Sequence, residues 1–440
     1  MGKSAAHWFD NSVVLLNARL PDAALGLASG DVKPCNIRIA DGVVTAIGPD
    51  VALAANEPRY DCQAGLVIPA FVDVHTHLDK GNIWGRTENP DGSFMGALRS
   101  VASDRQAHWT AAEIEARMDF ALRCAYAHGT AAIRTHLDSD AAQRQVTWPV
   151  FETIRQAWRD RIELQPVALI GPDQMLDRDE VRAVAAWIKP LGGILGGAIA
   201  THPQARTAIA NVVRTAQEFD LDIDLHCDET LDPEASSLLY LAEAILESGY
   251  AGQAQAGHCC SLVGKSASRA EETIAKVAEA GIAVVALPMC NMYLQDRQPG
   301  VEARTPRQRG VTLVKELKAA GVVVSVASDN TRDPFYAYGD MDMVEVFREA
   351  VRTTQIDHPS DMAWDWLRSA TALPAVAARF AYDGAVAMGA PANLMILRAR
   401  TWSELHSRPQ SDRIVVRSGR AIDAIVPDYR ELDGLMGIPS

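Results

Sequence analysis

Four of the eleven histidines in this 440-residue chain stand where metal chemistry is possible. His75 and His77 close the run Gly65-Leu-Val-Ile-Pro-Ala-Phe-Val-Asp-Val-His-Thr-His77, which is almost wholly apolar until it reaches them. Residues i and i+2 of a strand point to the same side, so the two imidazoles face one way. His226 ends Asp224-Leu-His226 and is followed by Cys-Asp-Glu229, His258 ends Ala256-Gly-His258, and Asp329 follows the mostly apolar segment 322–328. Imidazole nitrogens and a carboxylate oxygen are good ligands for one divalent transition metal. His75, His77, His226 and Asp329 are the candidate ligands. Such a site keeps a position for water, whose pKa the ion lowers toward neutrality, so that hydroxide is available at physiological pH. Glu229, three residues past His226, is placed to move protons between that water and a leaving group. His258 is placed to orient the water by a hydrogen bond. Glu229, His258 and Asp329 are therefore the expected catalytic set.

These residues need a scaffold that collects strand ends. From residue 67 to 384 the chain alternates apolar strand-like runs with helical segments, which is the pattern of βα units and a parallel sheet. The strands are read at the His75 run, 131–136, 162–170, 196–200, 222–226, 253–258, 282–287 and 322–328. Ala111 to Ala127 reads as a helix with Thr110 as N-cap and His128-Gly129 as its stop. Eight strands with intervening helices predict an α/β fold of the (β/α)₈ TIM-barrel type, with the chemistry at the C-terminal strand ends. Stretches 79–110 and 289–310 read as long loops on that catalytic face. The two ends of the chain, 1–66 and 385–440, read as short strands, with an Asp41-Gly42 hairpin turn, a strand at Pro391–Leu397 and a hairpin around Ser418-Gly419. Together they predict a small composite β-sandwich built from both termini.

Composition narrows the partners. With 42 Lys+Arg against 56 Asp+Glu the net charge is −14, which argues against nucleic acid or an anionic membrane as a partner. No stretch reaches the roughly 18 apolar residues of a membrane span. The first ten residues carry no apolar signal core. The seven cysteines include no C-x-x-C spacing and read as buried thiols, so a cytoplasmic protein is expected.

The pieces Gly65–Asp79, Arg134-Thr-His-Leu-Asp138, Asp224-Leu-His-Cys-Asp-Glu229, Ala256-Gly-His258, Ser328-Asp-Asn330 and Gly389-Ala-Pro-Ala-Asn-Leu394 carry a resemblance. Through them the chain resembles the amidohydrolase superfamily, and within it the bacterial cytosine deaminase group. The resemblance implies one Fe²⁺ or Zn²⁺ on His75, His77, His226 and Asp329, with Glu229 as proton shuttle and His258 steadying the hydroxide. It implies a small-molecule heterocyclic substrate and a homo-oligomer. Two positions depart from that group's pattern: Asn330 where it has Asp, and Phe335 where it has Trp. Together with the amide of Gln174 (or Asp173, the register being ambiguous), they are the expected substrate-binding residues. An amide both donates and accepts hydrogen bonds where a carboxylate only accepts, so the ring need not be cytosine.

The leading expectation is a metal-dependent aminohydrolase that releases ammonia from cytosine or a related pyrimidine or triazine. A hydrolase of a cyclic amide or N-alkylamino ring is the alternative on the same site, and a non-catalytic ligand-binding barrel the alternative of another class. His136 reads as a structural hydrogen-bonding residue and Asp228 as one held by local backbone. His202 reads either as pocket lining or as a cap on the fourth strand. Trp84 and Met289–Tyr293 read as either ring-packing or core. His7, His108, His128, His358 and His406 read as surface or helix-end residues, and Arg297, Arg304, Arg307 and Arg309 as a basic surface cluster.

Overall fold

The computed structural model describes residues 12–298, 303–358 and 363–438; His7 lies outside them. Eight parallel strands form the centre: β6 (Phe71–Thr76), β7 (Thr130–Asp138), β8 (Glu163–Leu169), β9 (Ile194–Ile199), β10 (Ile223–Cys227), β11 (Ala254–His258), β12 (Ala283–Ala286) and β13 (Val324–Val326), each hydrogen-bonded to the next in chain order. Every residue of β6, β7 and β10 to β13 is buried. That follows from a sheet with helices on its outside and side chains filling its inside. Around it lie α1 (Phe94–His108), α2 (Ala111–His128), α3 (Arg144–Trp158), α4 (Pro172–Leu176), α5 (Arg178–Ile188), α6 (Ala205–Phe219), α7 (Ser237–Ser248), α8 (Ala267–Glu279), α9 (Pro288–Leu294), α10 (Val314–Ala319) and α11 (Met343–Thr354). Thr110 caps α2 by accepting from Glu113 N, and Gly129 ends it with φ 95°, a conformation that favours glycine. Where β13 meets β6 the ladder narrows to a single bridge, Thr76 to Asp329, with Asp329 N donating to His75 O at 2.9 Å.

Two further four-stranded sheets come from the ends of the chain. β1 (Val13–Pro21), β2 (Val32–Ala40), β3 (Val43–Gly48) and β4 (Arg59–Asp61) form one, in the order β3-β2-β1-β4. Asp41 and Gly42 both take positive φ between β2 and β3, as a tight hairpin of that twist requires. The other joins β5 (Val67–Pro69) to the C-terminal strands β14 (Leu394–Ile396), β15 (Ile414–Arg417) and β16 (Arg420–Ala421). Backbone bonds from Val44 N to Ala390 O and Arg19 N to Gly65 O tie the two sheets together.

Two differences from the sequence reading matter for the site. The run ending in His75 and His77 is two strands. Val67–Pro69, grouped with the barrel in the 67–384 division, pairs with β14, and the chain changes sheet at Ala70, whose N donates to Asn393 O. A continuous apolar run reads as one strand because both sheets bury it. Secondly, the stretches expected as loops after the first and seventh strands contain helices. The 15-residue α1 starts at Ser93, whose side chain accepts from Gly96 N, and α9 starts with Pro288 at its first position.

Candidate metal centre and ring cavity

The C-terminal ends of β6, β10, β11 and β13 bring the predicted residues to one point. His75 Nε2 lies 3.2 Å from His226 Nε2, which lies 3.1 Å from His77 Nε2. Asp329 Oδ1 is 3.2 Å from His77 Nε2 and 3.6 Å from His75 Nε2. Donor atoms held tetrahedrally at about 2.0–2.1 Å from one ion stand about 3.3 Å apart, so this quartet has the spacing of a ligand set. Burial first, and then neighbouring imidazoles and cations, push all three histidines well below their ordinary pKa, leaving the neutral form that ligates. Asp329 is buried, neither oxygen has a nitrogen or oxygen donor, and burial pushes its carboxyl up to about 7. A divalent cation is the counter-charge this group lacks, and the residues fit one ion. Among the described residues, no lysine stands at the end of β9 to bridge a second.

The surroundings are shaped to admit these rings. A Cβ on Gly257 would lie 2.7 Å from His75 Cε1 and 3.0 Å from its Nδ1, so the glycine before His258 leaves room for the imidazole. His258 and Asp329 take φ of 69° and 64°, strained for residues with side chains and typical of groups held by function. Asp228, φ 50°, accepts from Ser237 N and Leu238 N and anchors the start of α7, as the backbone reading expected.

His258 Nδ1 lies 3.0 Å from Asn291 Nδ2. The amide donates there, so the ring proton sits on Nε2, which is buried and has no protein partner. Glu229 Oε1 is 3.6 Å from His258 Nδ1. Burial, reinforced by Asp329, raises the Glu229 carboxyl well above the ordinary range. His136 Nε2 meets His75 Nδ1 at 3.1 Å and so fixes the orientation of a candidate ligand from behind. Asn291 and His136 are the partners that the sequence reading did not assign to the centre. Both contacts join segments far apart in the chain, and only the fold creates them.

A cavity of about 260 Å³ opens on the centre. His77, His226, Glu229, His258 and Asp329 form its floor, and Gln174, Asn330, Lys80 and Asp138 its polar walls. Of Asp173 and Gln174, Gln174 lines the cavity, whereas Asp173 is exposed. Gln174 Oε1 accepts from Gly171 N at 3.2 Å, which leaves its NH₂ for a ligand. Asn330 Nδ2 donates to Asp333 Oδ2 at 2.7 Å and its Oδ1 accepts from Cys290 Sγ at 3.8 Å, so Asn330 offers a ligand the remaining lone pair of its carbonyl, an acceptor like a carboxylate without the charge. Phe335 packs edge-on to Phe94, centroids 5.5 Å apart, and with Leu98 and Val101 they make the apolar roof. Phe94, Leu98, Val101 and Arg105 are one face of α1, spaced by three and four. Trp84 and Met289–Tyr293 are not among the lining residues, and His202 caps locally, accepting from Gln204 N. His128 ends α2 and bonds Asp340, while Arg304 of the basic cluster pairs with Asp296.

Comparisons with known proteins agree with this architecture. A model of the amidohydrolase family matches residues 91–422. The chain is 51% identical over 428 residues to a pterin deaminase of Rhizobium rhizogenes, covering 96% of this chain and 97% of that one. It is 23% identical to an N-isopropylammelide isopropyl amidohydrolase of Pseudomonas sp., covering 82% and 87% respectively. In structure it is similar to a 5-methylcytosine deaminase from Klebsiella pneumoniae bound to 5-fluorocytosine, with a TM-score of 0.78, 24% identity, and coverage of 93% and 97%. No helix among the described residues is long and apolar enough to cross a membrane.

Proposed function

We infer that this chain, which belongs to the amidohydrolase family, hydrolytically deaminates an aminated N-heterocycle, and that its ring is a fused aminopyrimidinone of the pterin kind. The observation that carries the reaction is a converging His₃Asp quartet with the buried Glu229 beside it, Glu229, His77, His226 and Asp329 all lining one cavity. Similarity to the pterin deaminase over nearly the whole chain supports the ring.

His75, His77, His226 and Asp329 would hold one Fe²⁺ or Zn²⁺. Bound there, the ion supplies Lewis acidity that brings water's pKa toward neutrality. Glu229, whose carboxyl burial raises above its ordinary range, hands a proton to a ring nitrogen as water adds to the aminated carbon. It then takes one proton of the added water to the amine, so that ammonia leaves, and takes the other as the oxo group forms, which restores its own proton. His258 donates from Nε2 to the entering oxygen. Asn330 Oδ1 accepts from a ring N–H, the Gln174 amide donates to a ring acceptor, and the apolar roof excludes water above the ring. A non-catalytic binding barrel has no use for a buried carboxyl group placed beside the candidate ligand set.

The test is ammonia release from pterin, cytosine and an N-alkylamino triazine by protein loaded separately with Fe²⁺ and Zn²⁺. Release from pterin that disappears in Glu229→Gln supports the reading. Alkylamine from the triazine, with no ammonia from any ring, replaces it with the alternative hydrolase.

A further inference from the structure

A second cluster of charged groups lies in the wall of the same cavity, away from the metal ligands. Lys80 is 5% exposed and lines the cavity. Its backbone is fixed by a tight turn after His77, with Gly81 N donating to His77 O and the buried Arg117 donating to the carbonyls of Asp79 and Gly81. Its ammonium has one hydrogen-bond partner among the described residues, Asp138 Oδ1 at 2.7 Å. The other oxygen of Asp138 is taken by Arg105 at 2.6 Å. Asp79 and Asp333 also act on Lys80, and Asp333 has both oxygens engaged, by Asn330 on one side and by Phe335 N and Tyr336 N on the other. Asp79 retains an unpartnered oxygen but does not line the cavity.

An ammonium carries three donors, and a buried one is rarely left with donors unused. We propose that Lys80 is a specificity-determining residue that donates a hydrogen bond to the oxo oxygen of the heterocycle, on the wall adjoining Asn330 and Asp138. This rests on the reading of the cavity as a ring-deamination site. It adds a requirement absent from the metal centre: the ring must present an oxo acceptor to Lys80 while its amino carbon faces Glu229.

The experiment compares 2-amino-4-oxopteridine with its counterpart lacking the 4-oxo group, on metal-loaded protein, by ligand fluorescence for Kd and by ammonia for turnover. Wild type is expected to bind the oxo ring about 10- to 100-fold more tightly, the worth of a hydrogen bond to a charged group. Lys80→Met, and the charge-balanced pair Lys80→Met with Asp138→Asn, should bring the two affinities to within about threefold by weakening only the oxo ring. Equal affinities in wild type, or an equal weakening of both rings in the variants, overturns the proposal. If the variants do not fold, Lys80→Arg, which keeps charge and donors, must retain the oxo preference, and its loss overturns the proposal. A Lys80-dependent preference without ammonia upholds Lys80 and removes the deaminase reading, whereas ammonia without that dependence does the reverse.

Discussion

Asn330 shows how one atom in a side chain sets what a ring meets. Its NH₂ is held by Asp333, so a change to Asp would set two carboxylates against each other at about the present 2.7 Å contact. Asn330→Asp is therefore expected to lower the melting temperature of the protein and weaken ring binding, the lost bond alone contributing about 1.5–3 kcal/mol. Calorimetry and ligand titration check both. Gly257→Ala acts on the centre itself. With a Cβ 2.7 Å from the His75 ring, the imidazole must move, and metal affinity is expected to fall about 10- to 100-fold, read by competition with a chromophoric chelator. Much at this scale was legible in the sequence. The histidines and Asp329 stand at strand ends, and period two placed His75 and His77 on one side. What was not legible is who holds them. Asn291 reaches the centre from helix α9 and His136 from strand β7, and the choice between Asp173 and Gln174 depends on the turn of α4.

At the scale of elements, α1 is the piece the sequence concealed. Its apolar residues serve two environments, the cavity roof and a half-exposed edge at Met95 and Leu98, so no clean stripe of core residues advertises a helix. It is held down by Asp104, which accepts from Arg86, Thr87 and Trp109 Nε1. Burial alone would raise the Asp104 carboxyl, but these bonds hold it below its ordinary value. A carboxyl with a depressed folded pKa stabilises fully above its unfolded value, near pH 4, and loses that contribution as pH falls through the folded one. Asp104→Ala leaves Arg86 with Glu113 as its remaining carboxylate partner and is expected to cost about 1.5–3 kcal/mol at neutral pH. The gap in melting temperature between variant and wild type should close as pH falls below about 4. The division of residues 65–77 between two sheets was likewise hidden, because an apolar run says that a segment is buried and not in which sheet.

The whole molecule couples its terminal sheets to its chemistry through Ala70, the one residue between β5 and β6. Removing residues 385–438 would strip β5 of its partner β14 and expose Val67 and Ile68, both fully buried. Metal release and loss of tertiary structure are therefore expected to coincide in a single denaturant transition, followed by metal content and near-ultraviolet dichroism together. Release of metal well before unfolding would contradict that coupling. The barrel was legible because eight apolar runs with turns between them permit few other architectures, whereas pairing between distant termini leaves no local trace.

The seam between the first and last barrel strands carries one further consequence. A single bridge joins β6 to β13 there, and the candidate ligands come from both lips, His75 and His77 from one and Asp329 from the other. A metal held by both lips is then a clasp as well as a reagent, closing mechanically what the backbone leaves nearly open. Stripping it with a chelator should quicken amide hydrogen exchange at 71–77 and 324–330 selectively, while the opposite wall at β8 and β9 keeps its protection. Uniform exchange around the barrel would mean that the backbone closes it unaided.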